Sequence, residues 1–436
     1  MAKSPTSAKT LMLARAQVVG KVMESLLDQV DFSRIGEDHE PMLQSLCRGL
    51  MDEAVTPAVE RQLGGPKGVD DAAAELADDL IKMRGFLSLL QHSRVSDILV
   101  NGLSQIYVEQ DGQLHATGIV FPSEGALERT ALWMTARIGR PVTQDRPMVD
   151  ARLPDGSRLN VIIPPLALDG IVISIRRFHH QGLDLPGLAR AGAYPEAFQP
   201  LLAAMVSCRL NILVSGGTGA GKTTMLNAMS QFVPERERVV TIEDSAELRL
   251  RQTHVVRLET RLADAFGKGE VTTRMLVRNA LRMRPDRILV GEVRGPEALD
   301  MLQAMNTGHE GSMSTIHANT PRDALERLGT MIGMSDVSFT ERGIRGQIAR
   351  SIDAILHVRR LPDGRRVVDR LSEVGQLQGE MIAMQDVLRF EDGGGKGGHR
   401  FVATGVRPSF MDRLEHRGTK IDARLWRLQQ ALPPRA

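Results

Sequence analysis

One stretch of the chain specifies a chemistry by residue type and spacing alone: Gly216-Gly217-Thr218-Gly219-Ala220-Gly221-Lys222-Thr223. It fits the P-loop pattern G-x-x-x-x-G-K-[ST] at every required position. Residues with little or no side chain let backbone N–H groups turn inward around phosphate oxygens. A helix starting at the lysine then presents its positive end to them. Lys222 brings a point charge to the outer phosphates, and the Thr223 hydroxyl is of the kind that ligates Mg²⁺. Gly217, Thr218, Gly219, Ala220, Gly221, Lys222, Thr223 and Thr224 are therefore the candidate nucleotide-binding residues. A chance glycine-rich turn is the competing reading. The apolar run at 211–215 and the helical pattern at 222–231 give the loop the strand and helix that its chemistry needs.

Other polar residues fall at the ends of apolar runs. Residues 211–215, 239–242, 287–290 and 312–316 are buried-strand candidates with helical patterns between them, which predicts a mainly parallel α/β sheet. Ligands of such sheets bind beyond the carboxyl ends of the strands. The second run delivers Glu243 and Asp244, with Glu247 following; the third delivers Glu292; the fourth delivers His317. Thr223, Glu243 and Glu292 are the candidate Mg²⁺ residues, the acids acting through water, since Mg²⁺ prefers oxygen ligands and keeps much of its hydration. Glu292 is the candidate for positioning or deprotonating the attacking water, on the expectation that its strand neighbours the phosphate-loop strand. Gly291 stands where an aspartate is usual, so that duty is expected to pass to Glu243 and Asp244. A cation from outside the pocket assists phosphoryl transfer. Arg158, Arg176 and Arg177 in the front region, and Arg257, Arg261, Arg278 and Arg282 between the acidic strand ends, are the candidates.

The elements that must position these residues fill a chain of 436 residues, long enough for two or three domains. Residues 1–75 read as a helical module: Val18, Val22, Leu26 and Val30 repeat every four positions, and the glycine-rich 64–68 looks like a hinge. Residues 80–182 read as an α+β domain, with strands near 98–100, 105–109, 158–163 and 171–175, an Asp-Gly hairpin signal at 111–112 and a helix at 125–138. Residues 183–195 read as a linker, and 196–436 as the nucleotide-binding domain with a C-terminal extension that carries a glycine-rich turn at 393–398. Pro296 and Thr320-Pro321 mark two helix starts.

Four motifs in this order resemble one family: GGTGAGKTT at 216–224, TIEDSAEL at 241–248, RMRPDRILVGEVRG at 282–295 and MNTGHEGSMSTIHANTPRDALERL at 305–328. They are similar to the Walker A loop, Asp box, Walker B region and His box of the secretion ATPases of type II and type IV systems and type IV pili. DILVNGLSQIYVEQDG at 97–112 and MVDARLPDGSRLNVIIPPLALDG at 148–170 further resemble the Flp/Tad pilus assembly ATPases of the CpaF type. The resemblance implies a RecA-like ATPase domain behind a smaller, PAS-like α+β domain and a helical extension. It implies a homohexamer that hydrolyses ATP with Mg²⁺ and drives pilin subunits through an inner-membrane platform protein. It makes Glu292 the Walker B glutamate, puts His309 and His317 in the His box, and gives Arg158 and Arg176 the γ-phosphate role.

Composition bounds the alternatives. Net charge is +2 and aromatics make up 3%, which speaks against direct nucleic-acid binding. No apolar run reaches the ~18 residues of a spanning helix, and no leader pattern opens the chain, so a cytoplasmic protein that meets the membrane through partners is expected. Cys47 and Cys208 have no metal-ligand spacing, and no cysteine tetrad signals structural zinc. A VirB11-like ATPase of conjugation or effector secretion is the alternative from the same chemistry. A small-molecule kinase has no acceptor pocket to support it.

Overall fold

The computed structural model describes residues 5–110, 112–177, 183–261, 263, 268–337, 339–392 and 398–432. The chain divides into two units, Met1–His180 and Gln181–Ala436.

The first unit opens with α1 (Pro5–Gln29), α2 (Glu40–Ala54), α3 (Pro57–Leu63), α4 (Pro66–Lys82) and α5 (Arg84–Gln91). The four-residue repeat of α1 becomes a buried stripe, with Val22 and Leu26 at most 1% exposed. The expected hinge at 64–68 is a tight corner instead. Gly64 (φ 99°) caps α3 and Gly65 (φ 82°) leads into Pro66 at the start of α4, and such positive φ values favour glycine. Then follow β1 (Val95–Asn101), β2 (Gln105–Gln110), β3 (Gln113–Ala116), α6 (Glu124–Arg137), β4 (Met148–Arg152), β5 (Arg158–Ile162) and β6 (Val172–Arg176). The strands form an antiparallel sheet ordered β3-β2-β1-β6-β5-β4. The helices expected as a separate module share one core with this sheet: Leu26, Leu43 and Leu80 belong to the same cluster as Ile98, Leu159 and Ile173. Trp133 on α6 is buried in that core, as is the free thiol of Cys47, which burial pushes up to about 12.

The second unit begins inside the stretch expected as a linker. Here α7 (Leu185–Arg190) is capped by Asp184, whose carboxylate accepts from the Gly187 N–H. Leu185 and Tyr194 are at most 1% exposed, and the Tyr194 hydroxyl donates to the Leu185 carbonyl at 2.8 Å. Leu185, Leu188, Ala193 and Tyr194 thus belong to the core of the second unit. There follow α8 (Gln199–Ser207), β7 (Ile212–Gly216), α9 (Lys222–Ser230), β8 (Val239–Glu243), β9 (Val255–Glu259), α10 (Thr273–Ala280) and β10 (Arg287–Val293). The chain continues through α11 (Glu297–Asn306), β11 (Met313–His317), α12 (Pro321–Gly333), α13 (Glu341–Ser351) and β12 (Ala354–Arg360). It ends with β13 (Arg366–Gln378), β14 (Met381–Glu391), β15 (Arg400–Ala403), α14 (Met411–His416) and β16 (Gln429–Ala431).

The sheet order is β16-β15-β14-β13-β12-β7-β11-β10-β8-β9. From β12 to β9 neighbouring strands are parallel, the RecA-like core expected from the motifs; β13 to β16 extend it as an antiparallel meander. Alternation divides β7 between two cores, Ile212 and Val214 on one face and Leu213 on the other, so the strand is buried on both sides. Trp426 lies in the first of these cores. One expectation about order fails. β11 lies between β7 and β10, so the strand carrying Glu292 does not neighbour the phosphate-loop strand.

Candidate nucleotide site

The loop that follows β7 is shaped by its glycines. A Cβ on Gly216 would stand 2.4 Å from the Val358 carbonyl oxygen of β12, so only glycine lets the two strands close there. Gly219 (φ 69°) and Gly221 (φ 93°) take left-handed backbone, and Gly221 is the residue from which α9 starts. Lys222 is only 8% exposed, and its ammonium donates to the Gly217 carbonyl at 3.0 Å. Burial lowers its pKa, opposed by the nearby Glu292 carboxylate. Thr223 is half-buried and Thr224 exposed in the first turn of α9.

The strand between β7 and β10 ends in the residue that links them. The Lys222 Nζ lies 3.4 Å from His317 Nδ1 and 3.3 Å from Nε2, and His317 Nε2 lies 3.1 Å from Glu292 Oε1. An ammonium only donates and a carboxylate only accepts. The consistent arrangement is a neutral ring that accepts from Lys222 at Nδ1 and donates from Nε2 to Glu292. Burial, with Lys222 and Arg294 opposing Glu292, holds the ring below the usual histidine range. The other oxygen of Glu292 accepts from Arg294 Nη2 at 2.8 Å, and Arg294 also pairs with Asp244 at 3.2 Å. Arg294 thus ties two acidic strand ends together. It was not among the sequence candidates, although it stands just past the end of β10, two residues beyond Glu292.

Glu243 faces a different task. It is 3% exposed, and Oε2 accepts from the Glu247 and Leu248 N–H groups at 2.7 and 2.9 Å, so the carboxylate holds the turn that follows β8. Its Oε1 is buried without a hydrogen-bond partner among the described residues. Burial pushes the group up to about 7, against those two backbone bonds. Glu247 enters through its backbone. The Asp244 carboxylate accepts from the Thr273 hydroxyl at 3.2 Å besides meeting Arg294.

Two candidates of the second unit make other contacts, and two belong to the first unit. Arg261 donates from Nε to the Gly269 carbonyl at 2.5 Å and braces its own loop. His309 sits before β11, whereas His317 ends that strand, so the two histidines lie at opposite ends of the sheet; the Nδ1 of His309 is buried without a partner among the described residues. Arg158 and Arg176 belong to the first unit, where they are direct cross-strand partners on β5 and β6. Arg176 pairs with Asp97 at 2.9 Å, while no ion pair holds Arg158 among the described residues.

Two further residues support the loop without a signal in the motif. Arg366 of β13 donates from Nε to the Gly219 carbonyl at 2.9 Å. His357 of β12 is 3% exposed. Its Nδ1 lies 2.8 Å from the Ser215 hydroxyl at the loop's stem, and its ring also bonds the Asn319 backbone, just beyond His317. Burial lowers its pKa, so it serves there as a neutral strut.

A glycine-shaped anion cradle, a buried lysine and a carboxylate held by an imidazole form the equipment for splitting a phosphoanhydride. Residues 82–386 match the model of the family described as type II/IV secretion system protein. The chain belongs to that family. It is accordingly a nucleotide-using secretion ATPase, with the phosphate loop and the Glu292–His317 pair inside the matched region. A putative conjugal transfer protein of Mycobacterium tuberculosis is 41% identical over 305 residues, covering 68% of this chain and 85% of its own length. The type IV secretion system protein PtlH homolog of Bordetella bronchiseptica is 36% identical over 313 residues, covering 64% of this chain and 91% of its own. Among solved structures, the ATPase DotB of Legionella pneumophila is 22% identical over 65% of this chain and 78% of its own, with a TM-score of 0.49. No helix among the described residues of this secretion ATPase is long and apolar enough to cross a membrane.

Proposed function

We propose that this secretion ATPase is a homohexameric, Mg²⁺-dependent motor that powers assembly of a Flp/Tad-type pilus. In this reading it works in the cytoplasm against an inner-membrane platform protein. The contact chain from Gly217 through Lys222 and His317 to Glu292 carries the catalytic part of this reading. When ATP enters, Lys222 exchanges the Gly217 carbonyl for phosphate oxygens. Glu292 orients the attacking water and receives its proton as the water oxygen bonds to the γ-phosphorus and the bond to the β,γ-bridging oxygen breaks, leaving ADP and phosphate. His317, hydrogen-bonded to Glu292 and Lys222, lies where it senses the γ-phosphate.

Among the described residues no group of three or more His, Cys, Asp or Glu side chains could hold a metal alone. That fits Mg²⁺, which binds through one or two protein oxygens together with phosphates and water. Thr223 supplies the hydroxyl at the start of α9, and Glu292 lies within the same cluster; Glu243 keeps to its turn. Bound Mg²⁺ would neutralise charge developing on the phosphates. Arg158, free of an ion pair among the described residues, and Arg176 are the proposed sources of external positive charge.

The stretches 97–112 and 148–170 support the pilus branch. A second reading, a motor for conjugation or type IV secretion, is favoured by the descriptions of the Mycobacterium and Bordetella relatives. Lys222→Ala should abolish ATP turnover by the purified, assembled protein, and near wild-type turnover would overturn the site. Deletion of the gene in its host separates the branches: loss of surface pili supports the first, and loss of DNA or effector transfer with pili intact supports the second.

A further inference from the structure

The first unit contains a cavity of about 600 Å³ between α1, α6 and the loop after β5. Its floor is apolar, formed by Leu127, Ala131, Leu132 and Ile163. Its rim is acidic: Glu124, Glu128, Asp145 and Asp169 line it, and among the described residues no lysine or arginine does. Glu124, Glu128 and Asp169 are exposed, and none has an ion pair or side-chain hydrogen bond among the described residues. Glu124 and Glu128 are one turn apart on the same face of α6, a like-charge pair that disfavours the helix unless a cation joins it. On the loop between the lining residues Pro164 and Asp169, Leu166 is 50% and Leu168 90% exposed, and Met12 of α1 adds another exposed apolar side chain (49%) to the lining. Unpartnered apolar surface beside unpartnered charge marks an interaction site.

We propose that this cavity docks a lysine- or arginine-bearing amphipathic helix from the cytoplasmic face of a membrane-embedded partner. Apolar side chains at i, i+3, i+4 and i+7 enter the cavity, as helices in grooves do, and basic residues flanking them meet Glu124, Glu128 and Asp169. The choice of occupant follows from charge: cytoplasmic segments of membrane proteins are enriched in lysine and arginine, and a ring of carboxylates over an apolar floor complements them. Only the source of the helix rests on the secretion-motor reading; the chemistry of the groove stands on its own.

The test uses the full-length protein and a fluorescent synthetic amphipathic helix of about 18 residues, with leucines on one face and lysines beside them. Controls replace its lysines by glutamates or its leucines by serines. Anisotropy at low salt should show saturable binding of the lysine–leucine peptide alone, weakened about ten-fold or more by Glu124→Lys with Glu128→Lys. The remote Glu53→Lys should leave binding unchanged, and Ala131→Arg should block the floor. ATP turnover of every variant is measured in parallel. Absent binding with turnover intact overturns the docking proposal alone, and absent turnover with binding intact overturns the motor reading alone. Equal loss with Glu53→Lys, or equal binding of the serine peptide, reduces the effect to unspecific charge and overturns it. Binding that appears only after residues 1–8 are removed assigns the cavity to this chain's own N-terminal segment and overturns it too.

Discussion

A Cβ on Gly291 would lie 2.9 Å from the Glu243 Cγ of the adjacent strand. The position where an aspartate is usual therefore has no room for one, because the neighbouring strand has filled it with a buried glutamate. Gly291→Asp should destabilise the second unit by about 1–3 kcal/mol through overpacking, read as a lower urea midpoint. Glu243→Ala in the same chain should restore part of the loss. An unchanged midpoint for Gly291→Asp would contradict the crowding.

Glu243 also gives the fold a pH dependence. Its native pKa is raised to about 7 from the ordinary 4.5. Between these values the unfolded chain has released the proton while the native state keeps it. This group's contribution is thus fully present below about 4.5, falls as pH rises through about 7, and is level above that. Glu243→Gln should remove that slope, on the order of a few kcal/mol, when urea melts near pH 5 and pH 8 are compared. A slope equal to that of the wild type would exclude Glu243 as its source.

Glu292→Gln preserves the shape of the pair with His317 but cannot take a proton. ATP affinity should stay within a few-fold while turnover falls about 10²–10⁴-fold. Equilibrium binding and steady-state hydrolysis together decide it, and equal losses in both would assign Glu292 to binding.

His317 titrates below the usual 6.5 because burial and Lys222 disfavour its charged form. At pH 7 the ring is neutral and accepts from Lys222. As pH falls through the depressed value it gains a charge against that ammonium, and the link to the phosphate loop weakens. Wild-type turnover should lose activity on this acid limb, and the residual turnover of His317→Gln should lack it. An acid limb unchanged in the variant would place the titration elsewhere.

Arg366→Ala removes the side-chain bond to the Gly219 carbonyl without touching the P-loop sequence. Nucleotide affinity should drop up to about ten-fold with turnover at saturating ATP retained. Wild-type affinity would show that the loop holds its shape unaided.

What the sequence revealed was local. The phosphate loop, the Thr320 cap and the strand ends bearing Asp244, Glu292 and His317 are set by patterns within a few residues, and each is found in the structure. What it hid depends on pairing across the chain. That β11 separates β7 from β10 is a matter of strand order, to which no residue of β10 is specific. It turns His317 from an accessory into the bridge between Lys222 and Glu292. Arg366 and His357 come from strands well over a hundred residues beyond the loop they support, so no motif could join them to it. The corner at Gly64-Gly65 shares its composition with a flexible hinge, and only the packing of α3 and α4 distinguishes them. Residues 183–195, rich in glycine and alanine, read as spacer because small residues also suit a tightly packed core.

The chain has two tryptophans, and they are divided one to each unit: Trp133 among the helices of the first, Trp426 against the sheet of the second. Replacing either by phenylalanine leaves a single tryptophan, whose emission can be excited apart from that of the two tyrosines. Melting the two variants side by side then reports whether the halves come apart together or in succession. A single midpoint averaged over the whole protein conceals that difference.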